Sequence, residues 1–296
     1  MKFKGIMPAL ITPLKENNKT VNEKTARELI EFHISQGADG FYVLGSTGEG
    51  IVLDEAERMK MLEICVDQVG KRKPIICHTA SMNFDEAVRL SKHAEKAGAD
   101  AISAIPPIFF HYRTEDIYNY YKTLATSTNL PFIMYNHPAA NGGMNAETVA
   151  KMFEIDNIAG VKWTVNNYYE LMRLKDMTKG EMNIINGPDE MLISGLAAGA
   201  DAGIGTTYNV MLPQFVSLYK NFKDGNIDKA REIQYKINRV IGCMLKYEGI
   251  SATKYMCKML GFDSGEATYP LKSFKDGGAP ELEQELKELG WPFKEN

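Results

Sequence analysis

Hydrophobic residues occur along the chain in eight short runs, and each run is followed by a turn and a segment with helical periodicity. Strands that alternate with helices indicate a parallel sheet, and nearly continuous apolar strands indicate a sheet that is covered on both faces. Eight such units predict an α/β protein with a (β/α)8 TIM barrel. The predicted strands are Gly5–Leu10, Gly40–Leu44, Pro74–His78, Ala101–Ile105, Pro131–Tyr135, Ala159–Lys162, Met182–Asn186 and Ala202–Gly205.

The segments between the runs carry the start and stop signals of helices. Asn22, Asp54 and Asn83 each precede a helical segment, and residues of these types cap helix N-termini through their side-chain oxygens. Gly37 and Gly98 follow two of these segments, where the chain needs a residue that ends a helix. Each segment resembles an outer helix of a barrel.

The pattern changes near Pro213, because the remaining chain contains helical segments only. No linker rich in Pro, Gly or Ser separates these segments from the preceding units. We expect residues 1–212 to form the barrel core and residues 213–296 to form a C-terminal helical extension that packs on it.

The amino-acid composition and net charge limit the kinds of partner that the protein is expected to bind. The 296 residues are 44% hydrophobic and 24% charged, with a net charge of −4, which gives no electrostatic footprint for nucleic acid or an anionic membrane. No stretch approaches the roughly 20 apolar residues of a membrane span. Pro8 and Pro13 come too early for a secretory signal. We expect a cytoplasmic protein that binds neither nucleic acid nor membrane.

Cysteine and histidine give little indication of a metal. The cysteines have no CxxC spacing, which favours buried thiols over a metal site or disulfides. His78, His111 and His137 lie near strand ends, but the chain has no HExxH pair that would support a metal-dependent lyase. We therefore predict no metal and no cofactor. The four cysteines are Cys65, Cys77, Cys243 and Cys257.

A lysine and a tyrosine end two neighbouring predicted strands. In a (β/α)8 barrel the carboxyl ends of the strands form the active site, so Lys162 and Tyr135 are candidate catalytic residues. A lysine amine that is shielded from water can attack a ketone and form a Schiff base, whose protonated form stabilises a neighbouring carbanion. A phenol can transfer the accompanying proton. The alternatives are a lysine that extends into solvent and a tyrosine that packs in the core with a satisfied hydroxyl.

Polar residues follow three further strands. Ser46 and Thr47, in GSTGEG, have hydroxyls and amides that can hold a carboxylate, and the glycines let the backbone approach a ligand; the alternative is an ordinary turn. Asp189 and Glu190 can accept hydrogen bonds from a polyhydroxylated substrate or simply begin a helix. Thr206 follows the eighth strand.

Five motifs, in order over essentially the whole chain, resemble the N-acetylneuraminate lyase and dihydrodipicolinate synthase family. These proteins are Schiff-base (class I) pyruvate aldolases on (β/α)8 barrels. The resemblance implies a carbon–carbon lyase that acts on pyruvate and an aldehyde or sugar, and that forms homotetramers. The motifs are GSTGE at Gly45–Glu49, YNHPAANG at Tyr135–Gly142, GVKWT at Gly160–Thr164, GPDEM at Gly187–Met191 and GIGTTYNV at Gly203–Val210.

The resemblance also assigns roles to individual residues. It makes Lys162 the imine-forming lysine and Tyr135 the proton-shuttling tyrosine. Ser46 and Thr47 match the residues that hold the pyruvate-derived carboxylate. The positions that sialic acid lyases use for the hydroxylated tail of the substrate are matched by Thr164, Gly187, Asp189, Glu190 and Thr206.

The chemistry of the second substrate favours N-acetylneuraminate lyase within this family. A dihydrodipicolinate synthase-like enzyme is expected to place an arginine after the YNxP turn, to bind its second substrate's carboxylate, whereas this chain has Ala139, Ala140 and Asn141. The acidic residues Asp189 and Glu190 favour a neutral, hydroxyl-rich partner. The implied reaction is the reversible cleavage of N-acetylneuraminate to pyruvate and N-acetylmannosamine.

Two departures keep other functions open. Phe109 and Phe110 stand where family members usually have a tyrosine pair that reaches a neighbouring subunit's proton relay, so Tyr112 or His111 would have to supply that group. His137 stands where an apolar residue is common. The alternatives are a dihydrodipicolinate synthase-like enzyme, a 2-keto-3-deoxy sugar acid aldolase, and a non-catalytic sugar-acid binding protein on the same scaffold. The aromatic residues of Ile117–Leu124 are expected at an interface or in the core.

Overall fold

Eight parallel strands form the centre of the molecule. The computed structural model describes residues 3–15, 18–140, 142–271, 273–274 and 279–293; Asn141, in the motif after the fifth strand, lies outside them. The strands are β1 Gly5–Pro8, β2 Phe41–Val43, β3 Ile75–His78, β4 Ala101–Ala104, β5 Phe132–Asn136, β6 Ile158–Trp163, β7 Asn183–Asn186 and β8 Ala202–Gly205.

The strands close into a barrel. Each strand pairs in parallel with its sequence neighbour from β2 to β8, and β8 pairs with β1. The ring closes where Ala9 forms a parallel bridge with Tyr42 and the Leu10 N–H donates to the Tyr42 carbonyl at 2.9 Å. The predicted (β/α)8 barrel is confirmed. A short antiparallel pair, Leu14–Lys15 with Thr20–Val21, follows β1.

Alternation along the strands separates an inner from an outer layer. Side chains such as Met7, Ile76 and Ile133 form a buried cluster inside the barrel, whereas their chain neighbours belong to the larger cluster under the helices. This double burial explains why the strands are apolar on both faces. Tyr135 lies two residues after Ile133 and therefore also points inward.

Helices surround the barrel, and two of the three predicted caps form. Asn22 accepts the Thr25 N–H, and Asn83 accepts two N–H groups of the first turn of its helix. Asp54 occupies the N-cap position, but its side chain accepts no cap hydrogen bond from the described residues. The surrounding helices are α1 Glu23–Ser35, α2 Glu55–Val69, α3 Phe84–Ala97, α4 Thr114–Ala125, α5 Ala146–Met152, α6 Tyr168–Met177, α7 Leu192–Ala197 and α8 Tyr208–Lys223.

A helical extension packs on this barrel, as expected. It contains α9 Ile227–Leu245, α10 Gly249–Met259 and α11 Pro280–Glu288. The Trp291 indole N–H, just after α11, donates to the Val210 carbonyl of α8 at 3.1 Å and so ties the chain end to the barrel. The division of the chain at residue 213 stays a proposal, and it falls inside α8.

Other sequence-based expectations are resolved by burial. Most apolar and aromatic side chains of Ile117–Leu124 lie in the core of the chain itself, because Ile117, Tyr120, Tyr121 and Leu124 are buried, whereas Tyr118 is half-buried. All four cysteines are free and buried, as predicted.

Over the described ranges, no helix combines the length and apolar character of a membrane span, and no group of three or more His, Cys, Asp or Glu residues is placed to hold a metal ion. The cytoplasmic location stays a prediction.

Candidate active site

Strand β6 delivers Lys162 to the mouth of the barrel. Its register partner on β7 is Ile185, which belongs to the inner cluster, so Lys162 also points inward. The residue is 6% exposed, and its Nζ lies 4.2 Å from the ring centre of Tyr135 and 4.8 Å from that of Tyr42. Its ammonium forms no ion pair with any carboxylate of the described chain. The alternative of a lysine extending into solvent is therefore wrong.

Tyr135 lies beside Lys162 on the adjacent strand. The two residues are register partners in the β5–β6 pair, and Tyr135 is 3% exposed. Edge contacts fix the tyrosine ring, because ring centres of Tyr42, His78 and His137 lie 6.1, 6.0 and 5.3 Å away. The Tyr135 hydroxyl has no hydrogen-bond partner among the described residues, which leaves it available to a ligand.

Two neutral imidazoles flank this pair. The Ile105 N–H donates to Nε2 of His78 at 3.1 Å, and the Ala139 N–H donates to Nδ1 of His137 at 3.0 Å. A ring nitrogen that accepts a hydrogen bond carries no proton. Burial lowers the pKa of His78 to about 3 and that of His137 to about 4. Both rings therefore remain uncharged at neutral pH.

The loop after β2 places Ser46 and Thr47 near the barrel mouth. Ser46 is exposed, whereas Thr47 is buried, and the hydroxyl oxygens of Thr47 and Thr206 lie 2.6 Å apart. This contact joins the loops after β2 and β8. The Thr12 hydroxyl donates to the Gly48 carbonyl at 2.6 Å and fixes the loop from the other side. These two hydrogen bonds thus tie the GSTGE segment to the loops after β1 and β8.

A cavity of about 310 Å³ lies over the ends of β6, β7 and β8. The Thr164 hydroxyl is buried there without a hydrogen-bond partner in the described chain, so a bound molecule can supply one. A Cβ at Gly187 would lie 2.0 Å from that hydroxyl, which explains the glycine. The cavity wall contains all five predicted tail-binding residues, Thr164, Gly187, Asp189, Glu190 and Thr206, and the apolar residues Ile241, Met244 and Leu245 of α9.

The acidic residues of this cavity differ in environment. Asp189 is buried, and one of its oxygens accepts hydrogen bonds from the Thr207 N–H and the Thr207 hydroxyl, both at 2.7 Å. Burial raises the pKa of Asp189 to about 7, although the bonds from Thr207 oppose that shift. Glu190 is only half-buried. Asp189 therefore orders the loop after β8, and Glu190 offers the more accessible carboxylate.

A second cavity of about 310 Å³ lies on the opposite side of the mouth, over β2 to β5. Its polar lining residues include Ser46, Glu49, His78, His137 and Thr268, and most of its wall is apolar. The mouth of the barrel thus has a hydroxyl- and carboxylate-rich side and an apolar side, with Ser46 on the apolar side.

Sequence reasoning missed Tyr42 and did not assign a role to Thr207. Tyr42 lies inside a predicted strand, where its sequence context is that of a core residue, yet its ring faces the Lys162 Nζ and its hydroxyl lies 3.1 Å from Ser103 Oγ. Thr207 adjoins Thr206 in GTTYN, and only the fold shows that its hydroxyl reaches Asp189.

The segment after β4 carries exposed aromatic residues. Phe109 and Phe110 are 74% and 64% exposed, with ring centres 4.9 Å apart. The Tyr112 ring contacts Phe110, and His111 is exposed. Over the described part of the chain, the ring contacts of Tyr135 are with Tyr42, His78 and His137, and neither His111 nor Tyr112 is among them.

A closed parallel barrel with a buried lysine and tyrosine at its strand ends defines a barrel enzyme, because the active sites of this fold lie at those ends. The model of the dihydrodipicolinate synthetase family matches residues 2–289. The N-acetylneuraminate lyase of Rhizobium meliloti (strain 1021) is 32% identical over 292 residues, which cover 98% of this chain and 97% of that protein. The chain belongs to the dihydrodipicolinate synthetase family.

A relative that is named for a different activity has the same sequence identity to this chain. The 4-hydroxy-tetrahydrodipicolinate synthase of Thermodesulfovibrio yellowstonii (strain ATCC 51303 / DSM 11347 / YP87) is 32% identical over 289 residues, which cover 97% of this chain and 99% of that protein. The crystal structure of CdNal from Clostridium difficile in complex with mannosamine has a TM-score of 0.92 at 31% identity and covers 99% of this chain and 100% of that one. The predicted resemblance is confirmed, and the chain is a lyase of the aldolase type rather than a non-catalytic binding protein.

The raised pKa of Asp189 makes the stability of the protein depend on pH. Burial raises its folded-state pKa to about 7, whereas an unfolded chain has an aspartate pKa of about 3.9. The stability contributed by the protonated carboxyl is therefore full below about pH 4 and is lost as the pH rises to about 7. Asp189→Asn keeps an oxygen acceptor for Thr207 and removes the titration.

We expect the free energy of unfolding of the wild type, relative to Asp189→Asn, to fall by about 2–4 kcal/mol between pH 4 and pH 7. Urea denaturation at a series of pH values measures this difference. Asp176→Asn, at an exposed position of α6, is the matched control for removal of a carboxylate. Parallel pH curves for the wild type and Asp189→Asn would contradict the assignment.

Proposed function

We propose that this protein is a Schiff-base aldolase that reversibly cleaves N-acetylneuraminate to pyruvate and N-acetylmannosamine. The observation that carries the proposal is the pairing of Lys162 and Tyr135 on adjacent strands, with the lysine nitrogen buried against two aromatic rings. An amine in that position is protected from water and lies next to a hydroxyl that is free to move a proton.

The reaction begins with attack of the Lys162 amine on the C2 ketone of the open-chain sugar acid. Loss of water gives an imine, and its protonated form accepts the electron pair of the C3–C4 bond as that bond breaks. Tyr135 relays the proton of the C4 hydroxyl: its oxygen accepts that proton while its own proton passes to the substrate carboxylate, and the C4 oxygen becomes the carbonyl of the released aldehyde. The relayed proton is the one that later protonates C3. The enamine is then protonated at C3, and water hydrolyses the imine to release pyruvate and restore Lys162.

The GSTGE loop is the proposed binding site for the carboxylate next to the reacting ketone. Ser46 and Thr47 supply hydroxyl and amide donors, which suit an anion. The contact between Thr47 and Thr206 ties this loop to the opposite cavity, so carboxylate binding and tail binding share one rigid rim.

The cavity over β6 to β8 favours a neutral, hydroxyl-rich tail over an anionic second substrate. Its acidic side chains are those of Asp189, Glu190 and Glu248, and no Lys or Arg lies among the described residues that line it. A carboxylate on the second substrate would meet like charges there. The apolar side chains contributed by α9 suit a methyl group, such as that of an acetamido substituent.

Borohydride added with pyruvate should reduce the imine and leave a covalent adduct on Lys162, detectable by peptide mass. Lys162→Met should abolish the adduct and lower kcat by at least about 10³-fold. Tyr135→Phe should still be labelled but should lower kcat by about 10²–10⁴-fold, since only the proton transfer is impaired.

Two variants serve as matched controls for this experiment. Lys151→Met removes an exposed lysine of α5, and Tyr219→Phe removes a hydroxyl that bonds the Asp201 carbonyl away from the mouth. Both should keep labelling and activity. An unlabelled Lys162 in a fully active preparation would overturn the Schiff-base mechanism.

Release of pyruvate, followed by a coupled assay, should be most efficient with N-acetylneuraminate. Glu190→Gln should raise KM for this substrate by about tenfold with a smaller effect on kcat, because the carboxylate is proposed to bind the tail rather than the reacting bond. The runner-up is a 2-keto-3-deoxy sugar acid aldolase, which the position of His137 beside the Tyr135 ring favours. Faster release from 2-keto-3-deoxygluconate would establish that alternative instead.

We also propose that the enzyme is a homotetramer, as the family resemblance implies. The exposed rings of Phe109 and Phe110 support an interface at the segment after β4, because exposed apolar clusters mark association surfaces. Light scattering should give four times the chain mass of 33.1 kDa. The double substitution Phe109→Ser and Phe110→Ser should lower that mass, and a wild type that scatters as a single chain would contradict the proposal.

A further inference from the structure

A buried ion pair joins the GSTGE loop to the C-terminal extension. Glu49 is the last residue of the motif, and Lys254 lies on α10. The Lys254 ammonium contacts the Glu49 carboxylate, and each side chain is 1% exposed. Burial of two charges costs several kcal/mol of desolvation free energy per ion unless geometry and further hydrogen bonds compensate. A pair in this position therefore fixes the two elements that it connects.

Further hydrogen bonds hold both partners. The second oxygen of Glu49 accepts the Thr268 N–H at 2.6 Å, and the Lys254 ammonium donates to the Glu266 carbonyl at 3.0 Å. Burial lowers the pKa of Lys254, and the Glu49 carboxylate opposes that shift. The ion pair thus sits in a network that is built largely from residues of the C-terminal extension.

The backbone of Glu49 connects this network to Ser46. Glu49 has a φ of +55°, in the left-handed region that a non-glycine residue rarely adopts. Its N–H donates to the Ser46 carbonyl at 3.0 Å, and the next N–H, of Gly50, donates to the Gly45 carbonyl at 3.2 Å. Anchoring the Glu49 side chain therefore anchors the turn that presents Ser46 and Thr47.

We propose that Glu49 and Lys254 form a positioning pair that holds the Ser46–Thr47 donors in place for the carboxylate of the 2-oxo acid. This inference rests on the proposed function, which makes that loop the carboxylate site. The pair acts through the loop, so its loss weakens binding of the oxo acid while the Lys162 amine and the tail cavity stay intact. The C-terminal extension thereby takes part in binding the oxo acid.

The test is borohydride trapping over a series of pyruvate concentrations. Glu49→Gln and Lys254→Met should each raise the half-saturating pyruvate concentration by about tenfold, because a displaced loop loses well-oriented contacts. The trapping rate at saturating pyruvate should stay within about twofold, and so should KM for N-acetylmannosamine in the condensation direction. A general loss of structure would move all three quantities together.

Matched variants separate positioning from stability. Lys258→Met removes the neighbouring Lys258–Glu266 ion pair of α10 and should leave the half-saturating concentration unchanged. The double variant Glu49→Gln and Lys254→Met leaves no unpaired buried charge, so it decides the test if a single variant fails to fold. Its effect should be no larger than that of either single variant, because both changes break the same contact.

The outcomes distinguish the two proposals. If the wild type is labelled and the folded variants keep its half-saturating concentration, the positioning role is wrong and the proposed function stands. The same conclusion follows if Lys258→Met shifts the concentration as much as the pair variants do. If the wild type itself is never labelled by pyruvate and borohydride, the proposed function fails, and the positioning role fails with it.

Discussion

The parallel register between β5 and β6 is the constraint on which the site depends. It pairs Tyr135 with Lys162, and strand alternation then points both side chains into the barrel. A slip of one residue would turn them towards the outer helices. Hydrogen bonding on both sides of β5 and β6 opposes such a slip, and the bridge between Ala9 and Tyr42 closes the ring. A Cβ at Gly160 would lie 2.3 Å from the Asn183 carbonyl oxygen, so this glycine lets β6 and β7 approach closely.

The sequence predicts the barrel well, because strands buried on both faces stand out as apolar runs whose spacing admits few other folds. The sequence predicts the ends of the strands less accurately than their number and order. The run Gly5–Leu10 continues beyond β1, which ends at Pro8, because Ala9 forms only the isolated bridge that closes the ring. Lys162 and Tyr135 could be selected as candidates because a charged or polar residue that ends an apolar strand is conspicuous.

The remaining site features depend on contacts between distant segments. Asp189 and Glu190 are adjacent in sequence and look equivalent, yet only Asp189 meets Thr207 and is buried by the loop after β8. The ion pair of Glu49 with Lys254 joins segments from opposite ends of the chain. No local pattern of hydrophobic and polar residues encodes such partners, because they are set by how the extension packs on the barrel.

The wall of the cavity over β6 to β8 is built from two structural layers. The groups proposed for bond cleavage stand on strands inside the closed barrel, whereas Ile241, Met244 and Leu245 stand on α9, outside it. Replacements on that helix face alter the shape of the cavity without touching the hydrogen-bonded ring of strands. Substrate preference in this scaffold can therefore diverge during evolution, one outer side chain at a time, while the reaction at the centre is preserved.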